Sequence, residues 1–132
     1  MAQRGKNVED NADKLVRKVA LKIDATVVLA TPVDTGRARS NWQVELNKPA
    51  VGTVEAMEAG AAINKGKDVI SRYEGGTPGA SINITNNLPY IGRLNEGHSA
   101  QAPAGFVEEA VLVGISQVKG AKLLSRTGKT ED

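Results

Sequence analysis

Asp34-Thr35-Gly36 is the sharpest candidate for chemistry in this chain. A carboxylate heading such a triplet can share a proton with a second carboxylate beside it, and the pair can activate water against a peptide bond. One copy supplies half of that pair, so the chain would have to dimerise. The catalytic loop would also need bracing by an apolar pair followed by glycine, and Tyr90-Ile91-Gly92-Arg93 has that form.

A mechanical reading of the same residues needs no partner. Asp34 can bond backbone two residues on, and Gly36 can take a positive φ, which turns the chain. Three features favour this turn over a dimeric aspartic protease using Asp34. The triplet follows a helical stretch rather than a strand. Arg37 stands where those proteases carry a small residue. The two clearest segments of the chain are helical, not β. Pro32, Asp34, Thr35 and Gly36 are therefore read as a hinge.

Other chemistry is thin. Gly60 to Asp68, GAAINKGKD, is one residue too long for a phosphate loop, and Asp68 stands where a magnesium-binding hydroxyl belongs. His98 is the only histidine, and with Glu96 it falls short of the three or four ligands a zinc site wants. The sequence assigns no catalytic residue, no cofactor and no metal.

The elements that hold these residues follow from periodicity. Apolar positions from Val8 to Ala30 recur at helical spacing and predict one amphipathic helix, stopped by Pro32. From Ala38 the period becomes two, with Ala38, Ser40, Trp42, Val44 and Leu46 on one side and Arg37, Arg39, Asn41, Gln43 and Glu45 on the other. That predicts a strand covered on one face. Thr53 to Tyr73 reads as helix weakened by Gly60 and Gly66, and Ser81 to Asn86 as a second strand. Tyr90 to Asn95 suggests a helical turn, and a last helix begins after Pro103. The expected fold class is α+β: a long N-terminal helix and a C-terminal helix packed on one face of a small, mainly antiparallel β-sheet. Residues 1–7 read as a flexible arm, 8–122 as a single domain and 123–132 as a flexible tail.

The 132 residues carry 17 basic and 15 acidic side chains, a net charge of +2, which is too balanced to demand a nucleic-acid partner. Aromatics are only 3%, so the core must be aliphatic and no base-stacking platform is expected. There is no cysteine, which excludes disulfides and thiolate sites. The first residues lack the apolar run of a secretory signal, and no segment is apolar enough to span a bilayer.

Two irregular blocks stand out. One is Pro32-Val33-Asp34-Thr35-Gly36-Arg37, then Ser40, Asn41 and Trp42. The other is Asn86-Asn87, Pro89-Tyr90, Leu94, Glu96-Gly97, Ser99 and Gln101-Ala102-Pro103, before a closing helix. Together they resemble the neck or tail-completion proteins of long-tailed bacteriophages, the minor tail component family. With the helices, the resemblance covers most of the chain from Val8 to Lys122; residues 53–80 carry no matching signature. It implies a non-enzymatic virion protein at the head–tail interface, assembled in the host cytoplasm. It further implies a ring of copies, commonly six-fold, around the DNA channel. The ring would contact the head connector or adaptor on one side and the tail terminator or tail-tube protein on the other. DNA would pass through the lumen without sequence-specific binding, and no membrane is involved. Arg37, Arg39, Trp42, Asn86, Pro89, Tyr90, Glu96, Gly97, Ser99, Gln101 and Pro103 are the expected interface residues. Trp42 and Tyr90 would be buried anchors, and Arg37 and Arg39 would make inter-subunit ion pairs or charge the lumen. A small basic DNA-binding module is the alternative that the arginines and the basic arm leave open.

Overall fold

The computed structural model describes residues 2–32, 36–97 and 104–116, with side chains from residue 11 onward. Helix α1 (Ala2–Ala30) is followed by a helical turn, α2 (Arg37–Ser40), and strand β1 (Gln43–Leu46). Helix α3 (Ala59–Ile70), strand β2 (Ile82–Thr85), the short helix α4 (Ile91–Asn95) and helix α5 (Phe106–Ser116) complete the order. The fold is α+β, as the periodicities predict.

α1 lies between α5 and α3 and touches both, while α3 also packs against β1. The two strands are antiparallel, with Gln43 opposite Thr85 and Leu46 opposite Ile82. A two-stranded ribbon is marginal alone, and here the helices cover it. One core cluster joins Ala20 of α1, Val44 of β1 and Ile70 of α3, with Leu21, Val69, Ile82 and Ile84 around it. A second joins Val27 of α1 to Phe106 and Ala110 of α5, flanked by Ala30, Trp42, Ile91, Leu94 and Val107.

Gly114 sets how closely α5 approaches α1. A Cβ there would collide with Ile23 Cγ1 and lie 3.2 Å from the Val19 carbonyl oxygen. Gly66 does the same for α3, where a Cβ would collide with Asp24 Oδ2 and lie 3.0 Å from Val44 Cγ2. Its place in the middle of a helix is a packing requirement, although glycine weakens a helix intrinsically.

Three expected boundaries are corrected. α1 begins at Ala2, so residues 2–7 extend the helix instead of forming an arm; Ala2, Gln3, Arg4 and Lys6 are all good helix formers. The expected strand from Ala38 is a helical turn up to Ser40, and only Gln43–Leu46 is extended. Gly36, at φ 73°, starts that turn, and the side chains of Ser40 and Asn41 bond local carbonyls that a strand would need for pairing. The helix expected from Thr53 starts only at Ala59, because the backbone of Val54 and Met57 is taken up by those same two side chains.

Candidate functional site

The block Gly36 to Trp42 is a set of clamps. Its uncharged polar side chains are buried: Ser40 is 3% exposed and Asn41 is wholly enclosed. The Ser40 hydroxyl accepts from the Met57 amide at 2.7 Å and lies within donating distance of the carbonyls of Gly36 (2.6 Å) and Met57 (2.9 Å). Asn41 behaves like a piece of strand. Its Oδ1 accepts from the Val54 amide at 2.7 Å, and its Nδ2 donates to the Val54 carbonyl at 2.9 Å and to the Arg37 carbonyl at 2.8 Å. Trp42 Nε1 donates to Thr31 Oγ1 at 2.8 Å, which ties the start of the strand to the end of α1.

The second block reaches back to the first. Asn86 Nδ2 donates to the Ala38 carbonyl at 2.9 Å, while Asn86 Oδ1 accepts from the Leu88 amide at 3.1 Å and shapes the turn ahead of Pro89. Asn87 Nδ2 donates to the carbonyls of Ala50 (2.9 Å) and Gly52 (3.0 Å), on either side of Val51. Gln43 Nε2 also donates to the Gly52 carbonyl at 2.9 Å. Val51 is thus held rigidly while 91% exposed.

Asn95 closes the block on α5. Its Oδ1 accepts from the Val107 amide at 2.8 Å, its Nδ2 donates to Glu108 Oε1 at 2.9 Å, and its carbonyl accepts from the Gly105 amide at 2.7 Å. Asparagine here serves as the N-terminal cap of a helix it does not belong to. The hydrogen bond from Asn95 lowers the pKa of Glu108.

Two stretches that lie some fifty residues apart in the sequence therefore form one end of the molecule. Val33, Asp34 and Thr35, and residues 98–103 with His98, Ser99, Gln101 and Pro103, lie outside the described residues, as does the tail 123–132. The Asp-Thr-Gly triplet joins α1 to the helical turn α2, not one strand to another. Pro32 is buried beside it. Pro89, Glu96 and Gly97 are exposed, and Gly97 has φ 93° with Ala104 close enough to crowd a Cβ (3.2 Å).

Two expected placements change. Tyr90 is exposed, not a buried anchor, because Ile91 and Leu94 take the inward positions of the short helix. Arg37 and Arg39 do not share a strand face. They stand on the helical turn, where Arg37 is exposed and Arg39 is half-buried with its Nε lacking a partner.

A second surface adjoins this end. An apolar groove of about 230 Å³ runs between α1, β2 and α5, floored by Ile23, Val27, Ile82 and Ile84 and walled by Val107 and Val111. Val111, Leu112 and Ile115 of α5 remain 38%, 62% and 40% exposed. Helical spacing in the sequence groups Val111 and Ile115 with Phe106, Ala110 and Gly114, yet only the last three are buried, and the Val111-Leu112-Val113 run was the signal for an apolar outer side.

Among the described residues no three histidine, cysteine or carboxylate side chains gather as a metal site, and no helix is long and apolar enough to cross a membrane. Comparison of the chain with protein-family models, curated proteins and solved structures finds no match.

Proposed function

We propose that the chain is a structural protein of a tailed bacteriophage, forming a ring at the head–tail junction. The observation that carries this reading is the hydrogen bond from Asn86 to the Ala38 carbonyl, with the Asn41, Trp42 and Asn95 clamps around it. It welds the two blocks that resemble the neck-protein family into one rigid end. Few of the residues there titrate, and their side chains hold backbone. Such a surface suits docking, since a preorganised loop loses little entropy when a partner covers it.

The outer face of α5 supports self-association. Beyond Glu108 and Glu109 the outer side of α5 exposes Val111, Leu112 and Ile115, and a neighbouring copy would cover that apolar patch. A contact between unlike surfaces of successive copies closes into a ring when the rotation allows.

The test is direct. Virus particles made by a host carrying the gene are purified, probed for this chain by mass spectrometry and imaged at the neck by cryo-EM. A ring of this chain between head connector and tail is the expected result. Absence of the chain from finished particles overturns the reading.

A further inference from the structure

Far along α1 from the clamped end, α1 and the C-terminal end of α3 bound an open cleft of about 590 Å³. Lys14, Arg17 and Lys18 enter it from α1, Lys67 from α3, and Arg72 from just beyond α3. Asp13 and Glu74 are its acids. Five positive and two negative side chains leave the cleft at +3, more than the +2 of the whole chain. The charge balance that makes the sequence look indifferent to polyanions is an average over an asymmetric surface.

Among the described residues the cations of the cleft outnumber its acids. Among the described residues none of the five makes an ion pair. Asp13 is engaged elsewhere, accepting from the Gly75 amide at 3.1 Å. Arg17 Nη1 donates to the Tyr73 carbonyl at 2.6 Å, which ties the guanidinium to the segment beyond α3 at the cleft. Lys14 and Lys18 are one helical turn apart, about 6 Å along the axis, and both are exposed. Like charges held this close repel one another, and an anion laid across them removes that cost.

We propose that this cleft binds the phosphodiester backbone of nucleic acid without reading the bases. The cleft opens to solvent, so its cations are accessible to a polymer laid across it. Tyr73 is its one aromatic and is half-buried, so it offers no platform for stacked bases. A duplex carries about one charge per 1.7 Å of axis, whereas an acidic polypeptide offers at most one carboxylate per residue, about 3.3 Å apart. The dense cation cluster matches the denser polyanion. This inference stands on the cleft alone and does not depend on the ring reading.

The experiment is fluorescence anisotropy of the full chain with labelled short duplexes of two unrelated sequences, as DNA and as RNA. Binding to either, without sequence preference, is the expected result. With about three phosphates neutralised, affinity should fall on the order of 40-fold between about 50 and 200 mM salt. Lys14→Gln/Lys18→Gln should weaken binding and flatten the salt slope by about two. Lys48→Gln/Arg93→Gln removes two exposed charges outside the cleft and should change neither. Thermal melting of both variants checks that the fold persists. No duplex binding at the lowest salt overturns the proposal, as does an equal loss in the two double variants. Binding of polyglutamate in preference to both duplexes also overturns it and assigns the cleft to an acidic protein.

Discussion

Asp24 of α1 points its carboxyl group at Gly66 of α3, fully buried, with neither oxygen hydrogen-bonded. Burial without a partner penalises the charged form and pushes its pKa up to about 7, from 3.8. Burial on the inward side of α1 favours the neutral form of this aspartate.

The consequence is a stability that depends on pH in the direction opposite to ordinary acid denaturation. Between pH 3.8 and about 7 the folded chain keeps a proton that the unfolded chain has released. Stability therefore falls with rising pH in that window, by about 1.4 kcal/mol per unit and up to about 4 kcal/mol in all, and is flat above it. Asp24→Asn abolishes this component. The difference in unfolding free energy between Asp24→Asn and the parent should shift in favour of the variant from pH 4.5 to pH 8. Denaturant titrations at the two pH values measure it, and a difference independent of pH would show that Asp24 is ionised in the fold.

Gly66→Ala tests the same contact from the other helix. Overpacking at this site should cost about 1–3 kcal/mol. In an Asp24→Ala background the collision with Oδ2 is gone, and the helix propensity of alanine, worth about 1 kcal/mol, offsets the remaining crowding by Val44. The double-mutant cycle should give a coupling above about 1 kcal/mol. Additive effects would mean that α3 shifts away freely when a methyl group is added.

At the docking end the largest single loss should come from Asn41→Ala. It strands the amide and carbonyl of Val54 and the carbonyl of Arg37, and each buried group left unpaired costs about 1–3 kcal/mol. Asn86→Ala removes one tie to Ala38 and should cost less, about 1 kcal/mol. Hydrogen exchange at the Val54 and Met57 amides separates the two: Asn41→Ala should expose Val54 while leaving Met57, bonded to Ser40, protected.

What the sequence makes legible follows from which forces are periodic. α1 and α5 are amphipathic over several turns, so Val27, Ala110 and Phe106 read directly as core. Ser81 to Asn86 alternates and contains the strand Ile82–Thr85. Ala38 and Ser40 also alternate and are buried as expected, yet on a helical turn, because two or three positions cannot distinguish the two geometries. The clamps were invisible for a different reason. Asn41 and Asn86 act over 13 and 48 positions, and no local pattern encodes the partner of an asparagine side chain. Nothing local in the sequence marks Asp24 as buried, because the residue that covers it, Gly66, is on α3. The basic cleft was equally hidden, since Lys14 and Arg72 meet only in three dimensions.

The ring reading makes a last demand on α5. If a neighbouring copy covers Val111, Leu112 and Ile115, then these side chains matter to assembly and not to the fold. Leu112 is the most exposed of the three, at 62%, and lies outside both core clusters. Leu112→Glu should therefore leave unfolding free energy within about 0.5 kcal/mol of the parent, while self-association followed by analytical ultracentrifugation is lost. Ala110→Glu, at a fully buried position two residues away on the opposite side of the helix, should unfold the domain outright. The chain has no cysteine, so Leu112→Cys introduces a unique thiol for labelling. It should react quickly in the isolated chain and be protected in assembled particles. A thiol equally reactive in both states would leave the face uncovered and remove α5 from the subunit contact.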